Sequence, residues 1–193
     1  GCAVVVAAVV AVPLVVAVIA LSFRPWTPAL DLAMTELRVR DVGGAHTPLV
    51  GLPGRIGVFP DSQGSHPGPA SFYLLAPWYR LAGASAWGLE LGSVIVNSAA
   101  IALLVMIGWR LAGRSGALAM GSVAAVAVRG YGLNVLTHPW NPYFPVVLWL
   151  VVLVATWAVV AGHHRAAIGV SVSASIAAQT RSGAAGTRRV CVI

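Results

Sequence analysis

The chain has 193 residues, of which 59% are hydrophobic and 9% charged, against roughly 45–50% and about 25% in a soluble domain. A water-soluble globular enzyme is excluded, and a multi-span membrane protein is expected. All the basic residues are arginine, 12 against 5 acids for a net charge of +7, and in so apolar a chain this excess marks cytoplasmic ends and headgroup contacts rather than nucleic acid.

The first element is an uncharged run from Ala3 to Ser22, long enough at 1.5 Å per residue to cross a hydrocarbon core of about 30 Å. It is predicted to be a transmembrane helix, with a kink at Pro13 that neighbouring helices tolerate. A long loop follows, about 23–88, which holds Asp31, Glu36, Asp41 and Asp61, with Glu90 just beyond it. Every acid of the chain thus lies between the first and second apolar runs, and this loop is the expected place for chemistry.

Within the loop, Pro28 and Gly43-Gly44 punctuate a helix that begins near Ala29 and ends near Asp41. Leu30, Ala33, Met34 and Leu37 fall at i, i+3, i+4 and i+7, an apolar stripe that predicts a helix lying along the membrane surface. Asp31, Thr35 and Arg38 share another face and put a carboxylate beside a guanidinium. Structural roles compete for these acids: Asp31 at a helix N-terminus, where a negative charge gains roughly 0.3–1 kcal/mol, and Glu36 in an i, i+4 pair with Arg40. Ser65 to Gly68 reads as a turn, with His66 either stapling it or belonging to the site. Pro69 then opens a second interfacial helix, whose aromatic-rich face anchors it among the headgroups.

Three further spans are predicted, at about 91–109, 115–134 and 144–162. Trp87 and Trp109 flank the first of these as an aromatic belt. The next must absorb Arg129 to reach spanning length, at a cost of roughly 2.5–3.5 kcal/mol. Arg129 is therefore expected to meet a lipid phosphate, which suits its planar fork, or to snorkel to the headgroups. The Pro-rich turn His138–Tyr143 precedes the last span, and His163, His164 and Arg165 follow it as a basic end rather than a metal pair. Residues 166–193 form an atypical tail, read as a partial fifth span or a truncated end. Arg110, Arg114 and Arg165 assign their ends to the cytoplasm, which puts the loop 23–88 on the outer face. Cys2 and Cys191 offer neither a metal spacing nor a disulfide framework, and no P-loop, dinucleotide, zinc or serine-triad motif is present.

Asp31 after the first span, the stretch Glu36–Val42, His66-Pro67-Gly68-Pro69 ahead of Phe72-Tyr73-Leu74, and Trp140-Asn141-Pro142-Tyr143 together resemble the GT-C class of integral membrane glycosyltransferases. The nearest resemblance is to the actinobacterial protein-mannosyltransferase-like and arabinosyltransferase-like group, and it covers Ala3 to Gly162. It implies an all-α polytopic fold of four to five transmembrane helices, with residues 1–165 as an N-terminal membrane domain of a longer enzyme. It also implies transfer of a sugar from a polyprenyl-phosphate-linked donor to a cell-envelope acceptor, on the outer face of the plasma membrane. Asp31 matches the acid that acts on the acceptor hydroxyl, with Glu36 or Asp41 as the second acid. Arg38 or Arg129 would neutralise the leaving phosphate, and His66 and Asn141 complete the substrate contacts. The expected partners are that donor and membrane lipids. No cofactor is expected, and a divalent metal is compatible with the class but not indicated by the spacing. Two other readings fit the same sequence: a non-catalytic scaffold or transporter subunit for a lipid-linked precursor, and an inactive truncated remnant.

Overall fold

The computed structural model describes residues 1–53, 65, 66 and 68–180, and the fold is all-α. Asp61, Pro67 and Cys191 lie outside the described residues. The helices are α1 (Cys2–Ser22), α2 (Asp31–Asp41), α3 (Ala70–Leu81), α4 (Ala86–Tyr131), α5 (Leu133–Leu136), α6 (Val146–Val160) and α7 (Ala166–Thr180). Two of them, α1 and α4, are long and apolar enough to cross a membrane, while α6 and α7 are apolar but shorter, at 15 residues each.

In α1 the Val and Ala run closes its own backbone hydrogen bonds, and only Ala7, Leu14 and Val18 are buried. Val4, Val5, Val9, Val12 and Val16 are exposed and give α1 a bare apolar face. Pro13 supplies no N–H, so the Val9 carbonyl loses its helical donor.

The 46-residue α4 is a hairpin rather than a rod. Its backbone leaves helical geometry at Ala112 (φ −142°, ψ 24°) and Gly113 (φ 58°, ψ −134°), and the second of these values is one that glycine adopts without a steric penalty. The two arms, 86–111 and 114–131, fold back so closely that a side chain on Gly108 would strike the backbone of Gly116, and one on Gly116 would strike that of Gly108. Such small-residue contacts are how helices associate when the surroundings are as apolar as their side chains. The first arm runs antiparallel to α1: Trp87 Nε1 donates to the Val18 carbonyl at 2.7 Å, and Val105 clusters with Ala7. The second arm runs parallel to α1, with Gly121 against Val6.

α6 packs on α4 through Val147, Val151 and Ala155, and α7 returns along α6 with Gly169 beside Ala155. Thus the stretch 166–180, which reads from sequence as an atypical tail, is helical, and its end meets the loop before α3, where Gly68 N–H donates to the Gln179 carbonyl at 3.3 Å.

α3 departs from the interfacial role expected of it. Phe72, Leu75, Ala76 and Tyr79 fall at i, i+3, i+4 and i+7 and are all buried, three turns laid along the first arm of α4, where Gly88 and Gly92 let the backbones approach. Phe72 and Tyr79 therefore fill the core instead of anchoring a surface helix. In α2, Leu30, Met34 and Leu37 of the predicted apolar stripe are exposed, while Val39 and Thr35, the latter predicted to share a polar face with Asp31 and Arg38, are buried.

Candidate functional site

The approach to Asp31 is strained. Leu30, 80% exposed, has φ 51° and ψ −124°, a region that costs a side-chain-bearing residue about 1–3 kcal/mol. This sharp bend starts α2 at Asp31. The Thr35 hydroxyl, fully buried, donates to the Asp31 carbonyl at 2.8 Å and fixes that first turn.

The Asp31 side chain is met from 109 residues away. Trp140 Nε1 donates to Asp31 Oδ2 at 3.3 Å. The indole is itself held edge-on by Tyr143, with ring centroids 5.0 Å apart and planes at 89°, and Tyr143 in turn meets His138 at 5.7 Å and 74°. The segment between α5 and α6 therefore presents three rings in sequence, ending at the carboxylate. Next to Trp140, Asn141 is only 4% exposed. Its Oδ1 and the Nδ1 of His138 are buried without a hydrogen-bond partner among the described residues. Buried polar atoms are ordinarily paired, so each such atom asks for a ligand or water. Burial also pushes the His138 imidazole below its ordinary value.

Glu36 belongs to a different construction. Its Oε1 accepts from Arg40 at 2.7 Å and from the Tyr79 hydroxyl at 2.7 Å, and Arg40 Nε donates to that same hydroxyl at 2.8 Å. The i, i+4 pair anticipated from sequence forms, and Tyr79 turns it into a clasp between α2 and α3. Burial, followed by the hydrogen bond to Glu36, raises the Tyr79 hydroxyl above its ordinary value. The Tyr79 and Glu36 contacts likewise hold Arg40 firmly charged. Arg80 adds a hydrogen bond to the Val42 carbonyl that pins the end of α2.

The remaining expected site residues are dispersed. Asp41 ends α2, ten residues past Asp31 and so about 15 Å along the axis, and Glu36 lies some 140° around the helix from Asp31. The acids of α2 are not brought together as a pair. Arg38 is half-buried, with its Nε lacking a partner among the described residues. His66 staples the loop by its backbone, accepting from Gly51 at 3.0 Å and donating to Leu52 at 2.9 Å, while its Nδ1 is buried without a hydrogen-bond partner among the described residues. Arg129, exposed in the last turn of α4, lines a crevice with Val9, Val10 and Pro13 of α1.

Two residues not singled out from sequence enter here. Glu90 is 7% exposed, and its Oε2 and the nearby Trp26 Nε1 are both buried without a hydrogen-bond partner among the described residues. The two side chains are neighbours. Trp26 belongs to the segment that leads into Asp31, so this contact ties that segment to the start of α4. The available signal was that Glu90 is the one acid at the head of an apolar run. Trp140 was legible only as a member of the Trp140-Asn141-Pro142-Tyr143 stretch of the resemblance, with nothing in the sequence to mark its contact with Asp31.

Among the described residues, no group of three His, Cys, Asp or Glu side chains is arranged to hold a metal ion. What the arrangement offers is a carboxylate that accepts from an indole N–H, on a segment that also carries buried polar atoms without a hydrogen-bond partner among the described residues. The chain matches no family model, no curated protein and no solved structure.

Proposed function

We propose that the chain is a membrane-embedded glycosyltransferase, or the front portion of one, in which Asp31 acts on the acceptor. In this reading α1, the two arms of α4 and α6 cross the membrane and α7 is a shorter fifth segment. The Asp31 end of the bundle faces out of the cell, and Arg110, Arg114 and Arg165 face the cytoplasm. The exposed valines of α1 and the outward apolar stripe of α2 support burial in lipid and contact with its surface.

The observation that carries the reading is the Trp140–Asp31 hydrogen bond. It brings the first interhelical segment to the segment before α6, which carries the buried Asn141 Oδ1 and His138 Nδ1 without a partner among the described residues. The reaction is a displacement at the anomeric carbon of a polyprenyl-phosphate-linked sugar. Asp31 takes the proton of the acceptor hydroxyl, the hydroxyl oxygen bonds to that carbon, and the carbon–oxygen bond to phosphate breaks, leaving the electron pair on the lipid phosphate. A positioned base of this kind contributes about 10²–10⁴-fold.

The test is transfer of labelled sugar from a polyprenyl-phosphate donor by membranes carrying the protein or its Asp31→Asn variant. Asparagine keeps an oxygen for Trp140 but cannot take the proton. Transfer should fall by about 10²-fold or more while the variant inserts at the normal level, and undiminished transfer would overturn the assignment.

A further inference from the structure

We infer that the crevice between α1 and the second arm of α4 is a binding site for one anionic membrane phospholipid, whose phosphate is held by Arg129. This rests on the membrane-spanning part of the reading above and not on sugar transfer.

The crevice has a volume of about 340 Å³ and is lined by Val9, Val10 and Pro13 on one side and by Val128, Arg129 and Leu133 on the other. Arg129 is its one charged lining residue, and no lining side chain carries a hydroxyl, amide or carboxylate. Among the described residues the ion pair formed is Arg40–Glu36, and no acid reaches Arg129. A lone guanidinium at this depth is costly, and the cost falls when an anion accompanies it. A phosphate is the anion its fork fits, through two parallel charge-assisted hydrogen bonds.

The walls specify the rest of the ligand. Val5, Val9 and Val12 of α1 and Val126 of the second arm are exposed beside the crevice, so its mouth opens sideways into hydrocarbon and admits an aliphatic chain from the bilayer. With only a guanidinium and apolar walls, the site selects a phosphate that keeps its net negative charge and is joined to a chain, because a zwitterionic headgroup brings its own cation to compete with Arg129. Anionic phospholipids and polyprenyl phosphates share that chemistry. No residue of α2 or of the segment 137–145 lines the crevice, so a lipid seated there is not presented to Asp31. A site that selects no further than this, away from the carboxylate, fills with the most abundant lipid it recognises, an anionic phospholipid.

The experiment is native mass spectrometry of the full chain released from nanodiscs of phosphatidylcholine containing a minor share of phosphatidylglycerol. The wild-type chain should retain phosphatidylglycerol well above its share of the bilayer. Arg129→Ala should lower that retention by about tenfold, Arg129→Lys should keep part of it, and Arg114→Ala at the bend should leave it unchanged. Ala125→Trp, which fills the crevice from its wall and keeps the charge, should also displace the lipid. It provides the answer if Arg129→Ala fails to fold. Retention no greater than the bilayer share, or retention undiminished by both Arg129→Ala and Ala125→Trp, overturns the inference. So does displacement by a trace of polyprenyl phosphate, which would assign the crevice to the donor. Sugar transfer by Asp31 can fail or succeed without changing any of these results.

Discussion

The indole N–H of Trp140 is a long-range contact that helps set where the Asp31 carboxylate points. At 3.3 Å the Trp140 bond is long for a charge-assisted contact, so its worth lies toward the low end of the 1.5–3 kcal/mol that hydrogen bonds to charged groups contribute, and it acts by orientation. Trp140→Phe keeps an aromatic ring against Tyr143 and removes the donor. The expected result in the transfer assay is a fall in kcat of about tenfold, roughly 1.4 kcal/mol, with the donor KM little changed. A rise in KM at constant kcat would instead make Trp140 a contact for the substrate.

His138 extends the same chain of rings and makes a prediction about pH. Because burial pushes its imidazole down, the folded protein binds fewer protons here than the unfolded chain between the two values. Stability is therefore full above the ordinary value of 6.5, is lost as pH falls from there toward the depressed folded value, and changes no further once both states are charged. Thermal unfolding followed through this window should show the acid-side loss, and His138→Asn should remove the part due to this ring. A profile identical in the two proteins would place the imidazole in water.

The helices can be read at two levels of difficulty. α1, the end of α2 and the pairing of Glu36 with Arg40 are local: a charge-free run, a Pro and Gly at the boundaries, and an i, i+4 spacing are sufficient for each. The bend of α4 is also local, since Arg110 and Arg114 interrupt its apolar run around Gly113. What no local pattern carries is the face a helix presents to the rest of the bundle. The aromatic side chains of α3 suit an interface as well as a core, and only the closeness of Gly88 and Gly92 puts Phe72 and Tyr79 inside. For the same reason the Ser-dotted stretch 166–180 lacks a strong helical signature but folds against α6. The arms of α4 themselves depend on two absent side chains. Gly116→Val places a branched group against the Gly108 carbonyl, and the hairpin must open to admit it. A cross-link between cysteines placed on the two arms should form readily in the parent protein and poorly in this variant. Equal cross-linking would mean that the arms are held by other contacts.

At the scale of the molecule, the acids that composition gathers into one stretch are separated by the fold into different tasks. Glu36 clasps α2 to α3, Asp41 closes α2 at its far end, and Glu90 is buried at the head of α4 beside Trp26. Asp31 is joined across the greatest distance in sequence, to the segment before α6. That join was not legible in the sequence, because Trp140 lies 109 residues away and no spacing rule connects them. Asp31 itself was legible, as the first acid after the first apolar run. In the proposed membrane setting, the exposed valines of α1 and Arg129, which has no acid partner among the described residues, face the lipid, while the rings before α6 form the end that meets Asp31.

Whether Asp31 takes the acceptor proton is measured most directly by the rate of a single turnover of polyprenyl-phosphate-linked sugar in native membranes, with the Asp31→Asn protein compared with the parent at matched insertion. Transfer by the variant should be slowed about 10²-fold or more. Transfer at the parent rate would contradict this role for Asp31.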